Sequence, residues 1–205
     1  MASLGDWLQG LFAFLGPAGV LVALFLLFVI DAAIVPALPE LAVAVTFLYG
    51  LPDYDPWLRA LLLLGMAVGG EFTGNTLLYL WVRKLIVDRG LLPRPIQRAM
   101  TGWMQFLIVP DERIILLNRV APVVPFVGAF IAVLKWSYRK SIAYVVIGAA
   151  AKYSLLLVLV GGLRLAYNRD VATTITVSAI LILVAVSLAG AYLYRRRARS
   201  LQKAT

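Results

Sequence analysis

The chain of 205 residues contains no cysteine and no histidine. Without cysteine there is no disulfide and no thiolate nucleophile, and without either residue the common zinc sites are excluded. Proton chemistry near neutrality must then come from aspartate, glutamate or lysine, because histidine is the side chain that ordinarily titrates there. Charge is scarce as well: 14% of residues are charged, against about 25% in a soluble domain. Lys and Arg are absent from Met1 to Gly10. A cleavable signal peptide opens on basic residues, so the first apolar run is expected to be retained.

Apolar residues take the place of charge, at 62% of the chain against roughly 45–50% in soluble proteins. They gather in runs of about 20 residues, the length an α-helix needs to cross the hydrocarbon core. Barrel strands would instead alternate over about 10 residues, and no such alternation occurs. The class is therefore all-α integral membrane, in one domain, with backbone polar groups satisfied inside helices. The net charge of +9 does not signal nucleic acid. The basic residues lie between apolar runs, where a cytoplasmic leaflet attracts them.

Six apolar segments can be marked: 11–31, 32–50, 58–82, 114–134, 141–163 and 171–194, followed by a basic tail over 195–205. The second and fourth differ from the rest. Each holds two prolines three residues apart, Pro36 and Pro39 in one and Pro122 and Pro125 in the other, with a charge nearby, Glu40 or Arg119. Proline removes a backbone donor, clashes with the preceding turn and pushes the residue before it out of the α region. Two such breaks in one segment leave short helical arms, so both segments are expected to enter the membrane and return.

The distribution of basic residues supports that topology. If all six segments cross, Arg and Lys fall almost equally on the two sides. If segments two and four are re-entrant, the six cations from Arg83 to Arg113 join Lys135, Arg139, Lys140 and the tail on one face. Only Arg59, Arg164 and Arg169 face the other side, which obeys the positive-inside rule. The expected architecture is four transmembrane helices plus two opposed re-entrant helical hairpins, with both termini cytoplasmic in the cell membrane. Two proline-interrupted segments in corresponding positions are also the mark of an inverted-repeat transporter. Between them, 83–113 interleaves apolar residues such as Leu91, Ile96 and Trp103 with Arg94 and Arg98. It is predicted to hold an amphipathic helix lying on the inner leaflet.

Charges at membrane depth cost about 3 kcal/mol each on insertion scales and normally face a bundle interior or wet cavity. Glu40 follows Pro39 and opens the return arm of the first hairpin; it also suits a helix N-terminus. Glu71 lies mid-segment within Gly70-x-x-x-Gly74, a spacing that also serves close helix crossings. Arg119 keeps its charge and matches phosphate or carboxylate in a bidentate way. Lys152 lies near the middle of the fifth segment, where it can lose its proton or pair with a carboxylate. Asp31 is expected at the interface.

Three elements then point to a family: Pro36-Ala37-Leu38-Pro39-Glu40, Gly70-Glu71-x-x-Gly74-Asn75-x-x-x-Tyr79, and Arg119-x-x-Pro122-x-x-Pro125-Phe126-x-Gly128. In order, spacing and location, from about Gly16 to Gly162, the chain resembles the DedA family of the VTT-domain (SNARE-associated Golgi protein) superfamily. The resemblance implies opposed re-entrant hairpins, lipid translocation and coupling to protons or sodium. In bacteria it implies translocation of the undecaprenyl-phosphate carrier lipid, and the eukaryotic relatives look like phospholipid scramblases. It matches Glu40 and Glu71 to the family's essential acidic pair and Arg119 to its first essential arginine. The position of a second bacterial arginine is Pro125 here, and Lys152 replaces a usual aromatic residue. Lys152 is thus placed to restore the missing positive charge.

The expected function is a flippase or scramblase moving an anionic lipid, a polyprenyl phosphate or phospholipid, between leaflets. Arg119, Lys152, Pro122 and Pro125 would bind the substrate, and Glu40 and Glu71 would couple protons or ions. A proton-coupled exporter of small molecules or cations is the alternative. An enzyme is disfavoured by the missing nucleophiles and metal motifs, and a scaffold would not need charges at depth. No cofactor or metal is expected. The lipid, the coupling ion, the direction and the oligomeric state, a homo-oligomer included, are left open.

Overall fold

The computed structural model describes residues 4–34, 39–91, 93–95, 98, 100, 111–118, 126–167, 171–182 and 185, with side chains from residue 13 onward. Among these residues every regular element is helical. In chain order they are α1 (Leu4–Ala33), α2 (Pro39–Gly50), α3 (Pro56–Val87), α4 (Ile114–Leu117), α5 (Val127–Val133), α6 (Tyr138–Ala166) and α7 (Val171–Ile182). The last turns of α2 (Thr46–Gly50) and α3 (Arg83–Val87) are wound as π-helix.

Three of these helices are long and apolar enough to cross a membrane: Ala13–Ala33 within α1, α3, and α6. At most a third of each span is buried (17%, 33% and 28%), and the outward faces are apolar. Val22, Leu26 and Ile30 on α1, Leu61, Leu77 and Trp81 on α3, and Ile147, Leu155 and Val158 on α6 are all exposed. Apolar stripes of this extent are unstable against water and fit hydrocarbon. The molecule is an all-helical membrane protein.

Local sequence fixes where the helices start and bend. Gly16 has φ +65° and ψ 168°, a region open to glycine alone, and Pro17 restarts the helix in the first-turn position proline favours. Pro39 and Pro56 open α2 and α3 in the same way.

Several boundaries differ from the sequence reading. The first span starts at Ala13 and continues past Asp31 to Ala33, so Asp31 is an intrahelical residue. α3 overruns 58–82 at both ends. Pro56 supplies a start signal, and Leu85-Ile86-Val87 continue the apolar surface beyond Arg83 and Lys84. α6 extends beyond 141–163 to Tyr138 and Ala166 because Arg139 and Lys140 are good helix formers that reach solvent. In the segment 171–194 the described helix covers Val171–Ile182. Of the stretch 83–113 that lies beyond α3, Arg94, Pro95, Arg98 and Met100 are helical, and residues 101–110 lie outside the described set.

The two proline-containing segments hold short helices. α2 spans about 18 Å and α5 about 10 Å at 1.5 Å per residue, well under the roughly 30 Å of a hydrocarbon core. They occupy two separate cores. In the first, α2 residues Val43, Phe47 and Leu48 pack with Leu63 and Ala67 of α3 and Tyr153, Leu157 and Val160 of α6. In the second, α5 residues Val127, Phe130 and Ile131 pack with Tyr79 and Val82 of α3 and Val145 of α6. The N-terminal half of α3 thus meets the C-terminal half of α6, and the reverse holds in the second core. α3 and α6 are an antiparallel central pair with one short helix at each end.

Candidate functional site

The close approach of α1 and α3 is set by missing side chains. A Cβ on Gly70 would strike Phe28 Cβ and come within 2.9 Å of the Phe25 carbonyl oxygen. A Cβ on Gly74 would sit 2.6 Å from Val29 O and 2.8 Å from Ala32 Cβ. Without a strong hydrophobic force between helices in lipid, such small-residue seams let backbones gain van der Waals contact. On another face of α3, a Cβ on Gly128 of α5 would strike Asn75 O and lie 3.0 Å from Tyr79 N. The stretch from Gly70 to Tyr79 is therefore gripped by α1 and α5. Glu71 and Asn75 lie inside that grip, each 3% exposed, and Asn75 Nδ2 donates to the Glu71 carbonyl oxygen at 2.9 Å.

Glu40 is the second residue of α2, so the short helix aims it from its first turn. Its carboxylate forms an ion pair with the ammonium of Lys152. The side chains are 25% and 27% exposed respectively, so the pair is sheltered yet reachable. Lys152 lies at the midpoint of α6 and Glu71 at the middle of α3. A chain of contacts links their surroundings: Tyr153 packs edge-on against Phe28 with ring centroids 5.0 Å apart, and Phe28 is the side chain that abuts Gly70. Lys152 Nζ also lies 5.1 Å from the Tyr153 ring centroid, a distance at which the ring's negative face helps hold a cation.

The structure thus brings Glu40 and Lys152 into direct contact and buries Glu71 in the same packed layer. Arg119, Pro122 and Pro125 lie outside the described residues. An ion pair of this kind can exchange partners: protonating the carboxylate frees the ammonium for another anion, and a competing cation frees the carboxylate. Among the described residues no group of three acidic side chains converges on a metal-sized site.

One buried cation escaped the sequence reading. Arg59, counted there as a flanking charge, is 2% exposed. Its guanidinium donates to the carbonyl oxygens of Phe47 (2.8 Å), Tyr54 (2.9 Å) and Pro52 (3.3 Å) and lies 5.7 Å from the Phe47 ring centroid. It thereby ties the end of α2 to the start of α3. The available signal was electrostatic: a cation in the first turn of a helix opposes the helix dipole and needs a specific partner. Arg59→Ala strands those carbonyls and is expected to cost about 3 kcal/mol, read as a lowered unfolding midpoint in detergent. Arg59→Lys should recover only part of this, because an ammonium lacks the planar fork. At the same end of α2, Tyr49 Oη and Thr173 Oγ1 are hydrogen-bonded at 2.9 Å, which anchors α2 to α7.

Comparison of the chain with protein-family models, with curated proteins and with solved structures found no match.

Proposed function

We propose that the chain is a DedA-like lipid transporter that moves an anionic lipid, a polyprenyl phosphate or a phospholipid, between leaflets, driven by or exchanged for protons or cations. The observation that carries this reading is the Glu40–Lys152 ion pair at the midpoint of α6, in one packed layer with buried Glu71. Charge at that depth is costly and is kept where it serves passage of a polar group. A lysine favours an anionic cargo, since a pathway for cations gains nothing from it.

The topology in this reading has four spans and two re-entrant hairpins, 32–50 and 114–134, with both termini cytoplasmic in the cell membrane. Support comes from the shortness of α2 and α5 and from their seats at opposite ends of the α3–α6 pair. Non-helical backbone at depth is tolerated where protein or a wet cavity covers it, and Pro36, Pro39, Pro122 and Pro125 supply the breaks. In the resting state Glu40 neutralises Lys152. Proton uptake by Glu40 releases the ammonium, which with Arg119 receives the phosphate. Glu71 competes for the same cations and resets the site when it loses its proton.

The test is flip of a fluorescent anionic phospholipid in proteoliposomes. Glu71→Gln, Lys152→Gln and Arg119→Ala are each expected to slow it by about tenfold or more, the equivalent of losing one charge-assisted contact. Wild-type rates in all three would remove these residues from the pathway. Proton-coupled efflux of a soluble cation without lipid movement would replace the proposal with the exporter reading.

A further inference from the structure

The ion pair lies beside the first core at the middle of α6; the second core ends in a cleft with a different composition. The cleft has a volume of about 230 Å³ and is bordered by Tyr79, Arg83 and Asp88 of α3 and its end, and by Lys135 and Trp136 after α5, over an aliphatic floor from α5. We propose that this cleft binds the phosphate group of an anionic phospholipid whose acyl chains lie along the outer face of α3.

The Arg83 guanidinium is held in place. Arg83 donates to the Tyr79 hydroxyl and lies 5.6 Å from the Tyr79 ring centroid. That ring is in turn stacked on Tyr138 with centroids 4.7 Å apart, and Tyr138 Oη is hydrogen-bonded to Thr76 at 2.9 Å. Lys135 sits at φ +56°, a left-handed conformation that costs a residue with a Cβ and that glycine usually supplies where a helix ends this way. A lysine kept in that position points to a use for its charge. Among the described residues neither Arg83 nor Lys135 has an ion-pair partner. Asp88 is the single carboxylate bordering the cleft.

Two helix C-termini end here, and bare carbonyls would repel an anion. Several of them are already occupied. Trp136 N donates to Ile131 O (3.1 Å), Leu134 N to Phe130 O (3.0 Å), Asp88 N to Arg83 O (2.8 Å) and Leu91 N to Ile86 O (2.9 Å). The π turn Arg83–Val87 that shapes the cleft is a feature found often at functional sites.

The level of the cleft argues for a lipid source. Trp57 and Trp81 are exposed near opposite ends of α3, about 36 Å apart along the helix, as interfacial aromatic belts are. Arg83 follows Trp81 by two residues, so it lies at headgroup level. Leu80, one turn before Arg83, is exposed and apolar, and Leu77 continues that exposed surface a further turn into the span. The volume is below the roughly 300–1,000 Å³ of drug-sized sites, which suits a headgroup whose tails stay outside.

The inference rests on this cleft alone and is read by binding, so the fate of the transport proposal does not decide it. Dioctanoyl phosphatidic acid is titrated into the purified full chain in detergent and followed by tryptophan fluorescence. It should bind about tenfold more tightly than dioctanoyl phosphatidylcholine, and Arg83→Gln should weaken it about tenfold, as loss of one charge-assisted contact does. Lys135→Gly should weaken it equally while keeping or raising the unfolding temperature, which separates lost binding from lost folding. Asp88→Asn should tighten it, and Arg139→Gln with Lys140→Gln should leave it unchanged. Wild-type binding by both Arg83→Gln and Lys135→Gly, or equal binding of phosphatidylcholine, would overturn the site. Competition by inorganic phosphate at the lipid's own concentration would overturn the lipid assignment.

Discussion

Lys152→Ala is expected to lower stability by about 2–3 kcal/mol, and Glu40→Ala by a similar amount. Each strands one charge in a sheltered position. Breaking a fully buried pair costs about 3–5 kcal/mol, and here a quarter of each side chain stays accessible, which reduces the loss. The double variant Glu40→Ala/Lys152→Ala should recover much of it, because no lone charge remains and the desolvation penalty of both groups disappears. Thermal or denaturant unfolding in detergent measures all three. A simple sum of two small losses would mean that the groups are solvated independently and that the pair does not organise the site. Lipid flip should fall in all three variants, so stability and transport part company in the double variant.

The second large effect is expected at the α1–α3 seam. Gly70→Val and Gly74→Val place a branched side chain against backbone oxygens of Phe25 and Val29, where the first added carbon already collides. Backbone does not yield as a flexible side chain does, so the helices must separate. Overpacking of this kind costs about 3 kcal/mol or more. Gly65→Ala is the control: nothing lies within 4 Å of its added Cβ, and the better helix propensity of alanine should be neutral or gain up to about 1 kcal/mol. Unfolding midpoints of the three variants, compared in one detergent, check the ordering. The seam variants should also lose transport, because the seam sets where Glu71 lies relative to Phe28 and Tyr153.

Much of this arrangement could be read from residue patterns, and the part that could not has physical reasons. Gly70-x-x-x-Gly74 announced a close crossing because only absent side chains permit one. The prolines at 36 and 39, and at 122 and 125, led to the expectation of interrupted segments; of these residues only Pro39 is among those described, and the helices described in the two segments, α2 and α5, are short. Lys152 was legible as a cation in need of a carboxylate, but its choice of Glu40 depends on where α2 comes to rest, which no spacing along the chain encodes. Arg59 was misread because hydropathy counts charges by position and ignores the carbonyl acceptors that a tight connection brings together. The overrun of α3 past Arg83 was hidden for a related reason. Two adjacent cations look like a helix flank, although long basic side chains ride on a helix and reach outward. The part of the site formed by Arg119 and its prolines falls outside the described residues.

Both cores depend on α3 and α6 as a shared antiparallel pair. This gives the molecule two places that can respond separately: the middle of α6, where α2 holds Glu40 against Lys152, and the end of α3, where the cleft at Arg83 and Lys135 faces the headgroup layer. Rigid central helices with shorter elements at the ends are the arrangement in which a small movement at one end changes charge pairing without dismantling the packing.

The measurement that bears most directly on this account uses the absence of native cysteine. Glu40→Cys and Lys152→Cys are introduced together and treated in native membranes with a short bis-methanethiosulfonate linker. Efficient intramolecular cross-linking is the predicted result, with little when position 40 is paired instead with Arg139→Cys or Arg164→Cys near the ends of α6. Cross-linking of position 40 to an end of α6, and not to its centre, would contradict the claim that a proline-opened turn delivers Glu40 to the middle of the membrane.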